Sequence, residues 1–300
     1  MTMFNEGRSL LPSRYVSAAV LALSVLLPAC GPMEVRVPRV TQPSTGKFQY
    51  GKFVWFDLAT NDVAAAKRFY GELFGWGFSD LAEGDVRYTV VQNQSRMIAG
   101  IVADPEADGD ASLWIGSISV PDVDRAAEQT REAGGVVHDP PEDLKDRGRT
   151  AFVTDPQGAD VAFLRASGGD PPDRRPAAGD FGWVELWTSD LAGSLAFYVS
   201  LGYTAGGLQI RGDEPYRVLK VAGEPQAGVV ELERGDAGSG WLPYVAVDDL
   251  AVTVEKAVAL GGQVVIEPDP EFAEGLAAVI VDPTGAALAV FVHDSERSPE

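Results

Sequence analysis

The sequence is poor in the residues that form disulfides and hold most transition metals. Its 300 residues contain one cysteine, Cys30, and two histidines, His138 and His293. One cysteine excludes an intramolecular disulfide and a cysteine-rich zinc site. Basic residues are also scarce, because 24 Lys and Arg face 44 Asp and Glu and the net charge is −20. This charge repels nucleic acid, so we expect no nucleic-acid partner.

The N-terminus resembles the signal peptide of a bacterial lipoprotein. Arg8 and Arg14 precede the apolar run Tyr15–Leu27, which is too short for a comfortable membrane span and suits the core of a signal peptide. The motif Leu-Pro-Ala-Cys follows and ends at Cys30, although Pro28 departs from the usual small or aliphatic residue. The resemblance implies cleavage before Cys30 and lipidation of its thiol; the alternative is an ordinary secretory signal.

A segment rich in proline and glycine follows the cysteine. Residues 31–46 show no hydrophobic period, which is typical of a tether that holds a folded domain off a membrane. We therefore expect the protein at the bacterial cell envelope, lipid-anchored at Cys30. Because Gly31 and not Asp follows the cysteine, the resemblance implies the outer membrane in a cell with two membranes.

The rest of the chain contains an internal sequence repeat. WFDLATND, which begins at Trp55, returns as WVELWTSD, which begins at Trp183, and 183 − 55 = 128. Phe-Tyr at residue 69 returns at residue 197 with the same offset, and Asp155-Pro156 returns at Asp282-Pro283, where 282 − 155 = 127. A near-constant offset indicates an internal duplication.

Each copy has the same order of predicted elements. Phe53–Ala59 alternates as a strand does, and residues 62–73 have helical spacing with Asn61 or Asp62 as the cap. Strands follow, then a second helix begins at Asp122 or Asp124 and ends at a Gly-Gly pair, and further strands close the copy.

This order of motifs resembles the vicinal oxygen chelate superfamily. The shared motifs are D-x-x-x-[AS]-x-x-F-Y-x-x-L after a strand, then G-G, then D-P-x-G. The superfamily includes glyoxalase I, extradiol dioxygenases and bleomycin-resistance proteins. The sequence of these motifs is most similar to that of tandem glyoxalase-like proteins of bacteria. The resemblance covers 53–164 and 181–292. It implies an α+β fold of two tandem domains, each built from two βαβββ half-units whose curled mixed sheets surround a cavity.

These observations divide the chain into six predicted segments. They are a signal peptide at 1–29, a tether at 30–50, a first glyoxalase-like domain at 51–168, a linker at 169–179, a second glyoxalase-like domain at 180–294 and a tail at 295–300.

Metal-bearing members of the superfamily carry ligands at fixed strand positions that face the cavity. In this sequence those positions hold Trp55, Ile115, Ala162, Trp183, Leu242 and Ala289. An indole N–H only donates, and the aliphatic side chains offer a cation nothing. Neither histidine falls on a ligand position. We therefore expect no metal and no other cofactor.

Alternation around the two repeated tryptophans places aromatic and acidic side chains in the expected cavities. The candidate ligand-binding residues are Trp55, Asp57, Trp183, Glu185, Trp187 and Tyr244. The set favours a pocket that stacks on a small, partly aromatic molecule, with the second copy as the more aromatic of the two.

Two other interpretations stay open at this point. Asp57 and Glu185 occupy equivalent positions and are the only candidates for a general base, so a divergent metal-independent lyase or isomerase is one alternative. The catalytic residues are otherwise unassigned. In the other alternative the tryptophans fill the cavities, and the protein is a structural module that has kept only the fold.

Overall fold

The computed structural model describes residues 37–83, 86–104, 112–212, 214–232, 238–270 and 272–292. Cys30 and His293 lie outside the described residues. The fold is α+β, with two mixed sheets and four α-helices in the described part, and the predicted fold class is confirmed. No helix among these residues is long and apolar enough to cross a membrane.

The first domain is one eight-stranded sheet with two helices. Its elements are β1 (Phe53–Thr60), α1 (Val63–Phe74), β2 (Gly77–Glu83), β3 (Val86–Asn93), β4 (Arg96–Ala103), β5 (Leu113–Ser119), α2 (Val123–Glu132), β6 (Val136–Leu144), β7 (Gly148–Thr154) and β8 (Asp160–Ala166). The strand order is β2-β3-β4-β1-β5-β8-β7-β6. The antiparallel pair β1·β5 joins the two half-units, and the parallel pairs β1·β4 and β5·β8 flank it.

The second domain repeats this plan with one extra short strand. Its elements are β9 (Phe181–Thr188), α3 (Leu191–Ser200), β10 (Thr204–Ala205), β11 (Gln209–Arg211), β12 (Glu214–Val221), β13 (Glu224–Glu231), β14 (Gly240–Val247), α4 (Leu250–Ala259), β15 (Gln263–Ile266), β16 (Ala277–Val281) and β17 (Ala287–Val292). The order is β10-β12-β13-β9-β14-β17-β16-β15, and β11 pairs with β12.

An aspartate begins each of these four helices. In α1 the carboxylate of Asp62 accepts a hydrogen bond from the Ala65 N–H at 2.8 Å. The equivalent caps of the other helices, at 2.9 to 3.0 Å, are Asp122, Asp190 and Asp249. Each cap satisfies one of the free N–H groups at a helix start, which explains why the sequence repeats the aspartate.

The two domains share one apolar core. The cluster that contains Phe56 continues across the domain boundary into Val184 and Trp241. The Phe56 ring stacks on Phe181 with centroids 4.3 Å apart, and Phe53 meets Trp241 at 4.7 Å. The duplicated halves therefore form a pseudo-dimer within one chain.

The repeated motifs meet at this interface. The Tyr198 hydroxyl, from the second F-Y motif, donates to Asp155 of the first D-P-x-G motif at 3.0 Å and accepts from the Trp241 Nε1–H at 2.9 Å. In the symmetric position Tyr70 faces Asp282, and burial, followed by this negative charge, raises the pKa of the Tyr70 hydroxyl well above its usual value. The motifs that carry the resemblance thus hold the two copies together.

Candidate functional site

An acid, a tryptophan and a tyrosine form a buried cluster in the first domain. Asp57 on β1 accepts a hydrogen bond from the Trp55 Nε1–H at 3.0 Å and from the Tyr88 hydroxyl at 2.6 Å. Opposite them, Gly100 on β4 leaves the space that the tyrosine hydroxyl needs, because a Cβ there would clash with it. The sequence placed Trp55 and Asp57 side by side, and the structure adds Tyr88 as their partner.

Arg147 fills the space in front of this cluster. It lies in the turn between β6 and β7, and its side chain is only 5% exposed. The guanidinium lies 4.5 Å from the centroid of the Trp55 ring, and its Nη2 donates to the Tyr88 hydroxyl at 2.9 Å. Its Nη1 is 4.0 Å from the Asp57 carboxylate, which compensates part of the buried charge.

The segment before β1 closes the same space from outside. Residues 37–40, here called the strap, place Val37 against Tyr88 and Val40 against Trp55, and both valines are buried. The Nε–H of Arg147 donates to the Pro38 carbonyl at 2.8 Å. The cavity of the first domain is therefore occupied by side chains of the protein itself.

The second domain builds the equivalent cluster with more donors. Glu185 on β9 is buried and accepts hydrogen bonds from four side chains. These donors are Trp183 Nε1 at 3.3 Å, Arg211 Nη1 at 3.1 Å, Trp187 Nε1 at 3.5 Å and the Tyr244 hydroxyl at 2.5 Å. The predicted cavity residues of this domain thus converge on one carboxylate.

Tyr216 on β12 completes the cluster as the counterpart of Tyr88. Its side chain is fully buried, but its hydroxyl makes no hydrogen bond of normal geometry with the described residues. Burial, followed by the charge of Glu185, raises its pKa, so the hydroxyl keeps its proton at neutral pH. It lies beside Glu185 and Trp183, in a geometry poorer than that of Tyr88 in the first domain.

The second cluster is more open than the first. The Arg211 side chain on β11 lies over the Tyr216 ring at 3.6 Å and is 45% exposed. Trp183 is only partly buried, whereas Trp55 is 1% exposed. Aromatic and aliphatic side chains pack around the cluster, including the partly buried Phe272 and Phe291.

The predicted ligand positions for a metal do not fit a cation. Ile115 and Ala162 pack with Phe152 in the first domain, and Leu242 and Ala289 pack with Tyr244 in the second. The nearest acids already accept hydrogen bonds from their own tryptophans. Across the described ranges no three His, Cys, Asp or Glu side chains come together in a way that could hold a metal. His138 instead shares a hydrogen bond with Thr154.

Sequence reasoning missed Tyr88 and Tyr216 and the arginines of both clusters. The tyrosines carry the repeat offset, since 216 − 88 = 128, and so do the two glycines that make room for them, since 228 − 100 = 128. The repeat offsets of these tyrosines and glycines could have been recognised in the sequence. The arginines could not, because Arg147 lies in the turn between β6 and β7 and Arg211 on β11, at positions that the repeat offset does not relate.

Together, the fold and the paired clusters define a tandem protein of two domains, each with one mixed sheet built from two half-units and one acid–tryptophan–tyrosine cluster. The chain belongs to the glyoxalase/bleomycin resistance protein/dioxygenase superfamily, whose family model matches residues 52–163. The resemblance predicted from the sequence is confirmed.

Relatives support this membership along nearly the whole folded part. The chain is 35% identical to CFP32 of Mycobacterium bovis, a protein named provisionally as a glyoxylase, over 83% of this chain and 97% of the relative. It is 31% identical to the anthracycline biosynthesis protein DnrV of Streptomyces peucetius, over 81% and 94%.

Solved structures share the fold at low sequence identity. A variant of homoprotocatechuate 2,3-dioxygenase from B. fuscum superposes with a TM-score of 0.55 at 14% identity, covering 85% of this chain and 74% of that one. A mutant of 4-hydroxymandelate synthase from Streptomyces coelicolor gives 0.56 at 13% identity, covering 83% and 94%.

Proposed function

We propose that the second domain binds a small, partly aromatic molecule without a metal. The observation that supports this most is the difference between the two clusters. The first is filled by Arg147 and the strap, while the second leaves Arg211 and Trp183 partly exposed beside a buried, fully hydrogen-bonded acid. A pocket with aromatic walls and a few fixed polar groups is the usual form of a small-molecule site.

The surroundings of Glu185 favour binding over base catalysis. A general base needs a lone pair that faces the substrate. Four donors already occupy the two oxygens of Glu185. Its role in this proposal is to hold the surrounding indoles, phenol and guanidinium in place. The closed-module alternative then applies to the first domain and not to the second.

The names of relatives agree with an aromatic ligand. DnrV of Streptomyces peucetius and DauV of Streptomyces sp. strain C5 are both named for the biosynthesis of anthracyclines, which are aromatic compounds. These names describe those proteins, and they support an aromatic ligand for this chain without identifying it.

The test is a ligand screen on protein treated with a chelator. We expect planar aromatic compounds to raise the melting temperature with and without the chelator. The substitution Trp183→Leu should abolish the shift, whereas Trp55→Leu, its match in the filled cavity, should lower the melting temperature but leave the ligand shift. A shift that requires added metal, or one that survives Trp183→Leu, would contradict the proposal.

We also propose that the protein carries this site on a lipid anchor at Cys30. The apolar run before the cysteine and the proline-rich segment after it support the proposal. Each buried acyl CH₂ is worth about 0.8 kcal/mol, so two or more chains give stable attachment. Cys30→Ser should move the protein into soluble fractions. An unchanged membrane fraction would exclude the anchor.

A further inference from the structure

We propose that the ligand of the second domain presents an acceptor oxygen to Arg211, and that an aromatic carboxylate is the preferred class. This inference rests on the proposed function and specifies its chemistry. It also changes the role expected of Glu185, which the sequence placed among the candidate ligand-binding residues.

Glu185 has little capacity left for a ligand. Its Oε1 accepts from Trp183 and Arg211, and its Oε2 accepts from Trp187 and Tyr244. A carboxylate offers about four lone-pair sites in total. A ligand N–H or O–H would therefore have to displace one of these donors. A ligand that brings an acceptor meets no such cost.

Arg211, in contrast to Glu185, uses few of its hydrogen-bonding groups within the described part of the chain. A guanidinium carries five N–H donors, and within the described part of the chain only its Nη1 makes a hydrogen bond. The group is held over the Tyr216 ring and by Glu185, yet nearly half of its side chain is exposed. A held arginine with free donors is suited to pair with a carboxylate through two parallel hydrogen bonds.

Tyr216 offers a second donor in the same place. Its hydroxyl is buried and protonated, and it lies beside Glu185 and Trp183 without a hydrogen bond of normal geometry to either. A ligand oxygen that reaches past the guanidinium would give this hydroxyl a better-aligned acceptor, so the tyrosine favours an acceptor as well.

The first domain shows what such an occupant looks like. There the strap supplies apolar contacts through Val37 and Val40, and its Pro38 carbonyl accepts a hydrogen bond from Arg147. Arg147 thus holds an apolar group with an acceptor oxygen in front of a tryptophan. Arg211 reaches the equivalent place from β11, and among the described contacts no strap lies over it. The ligand of the second domain would occupy the place that the strap occupies in the first.

The net charge of −20 opposes anions at long range, but this field is screened within about 8 Å at physiological ionic strength. The local pairing therefore decides the preference. The charge predicts, in addition, that affinity for an aromatic acid is not lost at moderate salt.

Three matched probes test the inference by calorimetry on the full chain: 2-naphthoate, 2-naphthamide and 2-naphthylmethylammonium. We expect naphthoate to bind about tenfold more tightly than the amide and the ammonium to bind most weakly, because charge-assisted pairing with arginine is about twice as strong as a neutral hydrogen bond. Arg211→Gln should reduce the affinity for naphthoate to that for the amide. Arg211→Lys, which keeps the charge but loses the planar fork, should give an intermediate value.

Arg68→Gln is the control for the loss of one positive charge, since Arg68 is exposed on α1. It should leave all three affinities unchanged. If the three probes bind with equal affinity, or if the ammonium binds best, the inference is wrong and the proposed function stands. A preference for naphthoate that survives Arg211→Gln would also overturn it. If no probe binds, the proposed function fails and the inference with it.

Discussion

The arginine is the residue that most clearly distinguishes the two clusters. Arg147 is enclosed between Trp55, Tyr88 and the strap, whereas Arg211 lies on one aromatic ring and faces solvent on its other side. The position equivalent to Arg147 in the second copy is Glu274, since 274 − 147 = 127. The duplication has therefore kept the acid and its aromatic partners and has changed the source of the cation.

This difference predicts unequal effects of the same substitution. Arg147→Met should lower the free energy of unfolding by about 3 kcal/mol, because it leaves the buried Asp57 without its cation. Arg211→Met should cost less than Arg147→Met, because Arg211 is 45% exposed and water that takes its place can still solvate part of the charge of Glu185. Urea denaturation followed by circular dichroism measures both. Equal losses would mean that the two cavities are equally closed.

A second residue-scale expectation concerns Asp139 on β6. Burial, and then the charge of Glu142, raises the pKa of Asp139 to about 7. Its carboxyl in the unfolded chain ionises near pH 4, so the native state loses stability as pH rises from about 4 to about 7. Asp139→Asn should remove this loss and gain about 4 kcal/mol at pH 8 relative to its effect at pH 4, since one pKa unit corresponds to about 1.4 kcal/mol. An identical effect at both pH values would show that the carboxyl is not perturbed.

The sequence could predict the side chains that share a strand but not those that meet across strands. Because side chains of a strand alternate between its two faces, the sequence placed Trp55 beside Asp57 and Trp183 beside Glu185. Tyr216 and Arg211 approach Glu185 from β12 and β11, and that approach depends on the register and curvature of the sheet. The local sequence pattern specifies neither the register nor the curvature of the sheet.

At the scale of elements, the strap covers the cluster of the first domain, and among the described residues the second cluster has no such cover. It lies within the segment predicted as a tether, and its two valines are buried in the first domain. The helices were predictable because their capping aspartates stand at fixed places in the repeat. The short strand β11, three residues long, carries too little alternation to be recognised.

The strap should contribute measurably to stability. Val37→Ala together with Val40→Ala removes about four buried CH₂ equivalents, or about 3 kcal/mol at 0.8 kcal/mol each. The double variant should melt at a lower temperature, and Gln42→Ala, at an exposed position just after the strap, should not. If the double variant melts like the parent, the strap is not packed as described.

At the scale of the molecule, the interface makes the two domains one folding unit. Sequence reasoning left their relative packing open, because the F-Y and D-P-x-G motifs carry no sign that they meet each other. The structure shows that Tyr198 and Asp155 bond across the boundary within a shared core. We therefore expect a single calorimetric transition with equal calorimetric and van't Hoff enthalpies.

Tyr198→Phe tests this interface. It leaves a buried oxygen of Asp155 without its donor and should lower the free energy of unfolding by about 1–3 kcal/mol while keeping one transition. Tyr50→Phe, at an exposed site, is the matched control. Two separate transitions, in either variant or in the parent, would mean that the domains fold independently.

The most direct test of the central claim is ¹⁹F NMR of protein labelled with 5-fluorotryptophan. The chain has six tryptophans, and single substitutions assign their signals. With chelator present and 2-naphthoate added, we expect the signals of Trp183 and Trp187 to shift and the signal of Trp55 to stay unchanged. A shift of Trp55 without Trp183, or no shift at either tryptophan of the second cluster, would contradict the account.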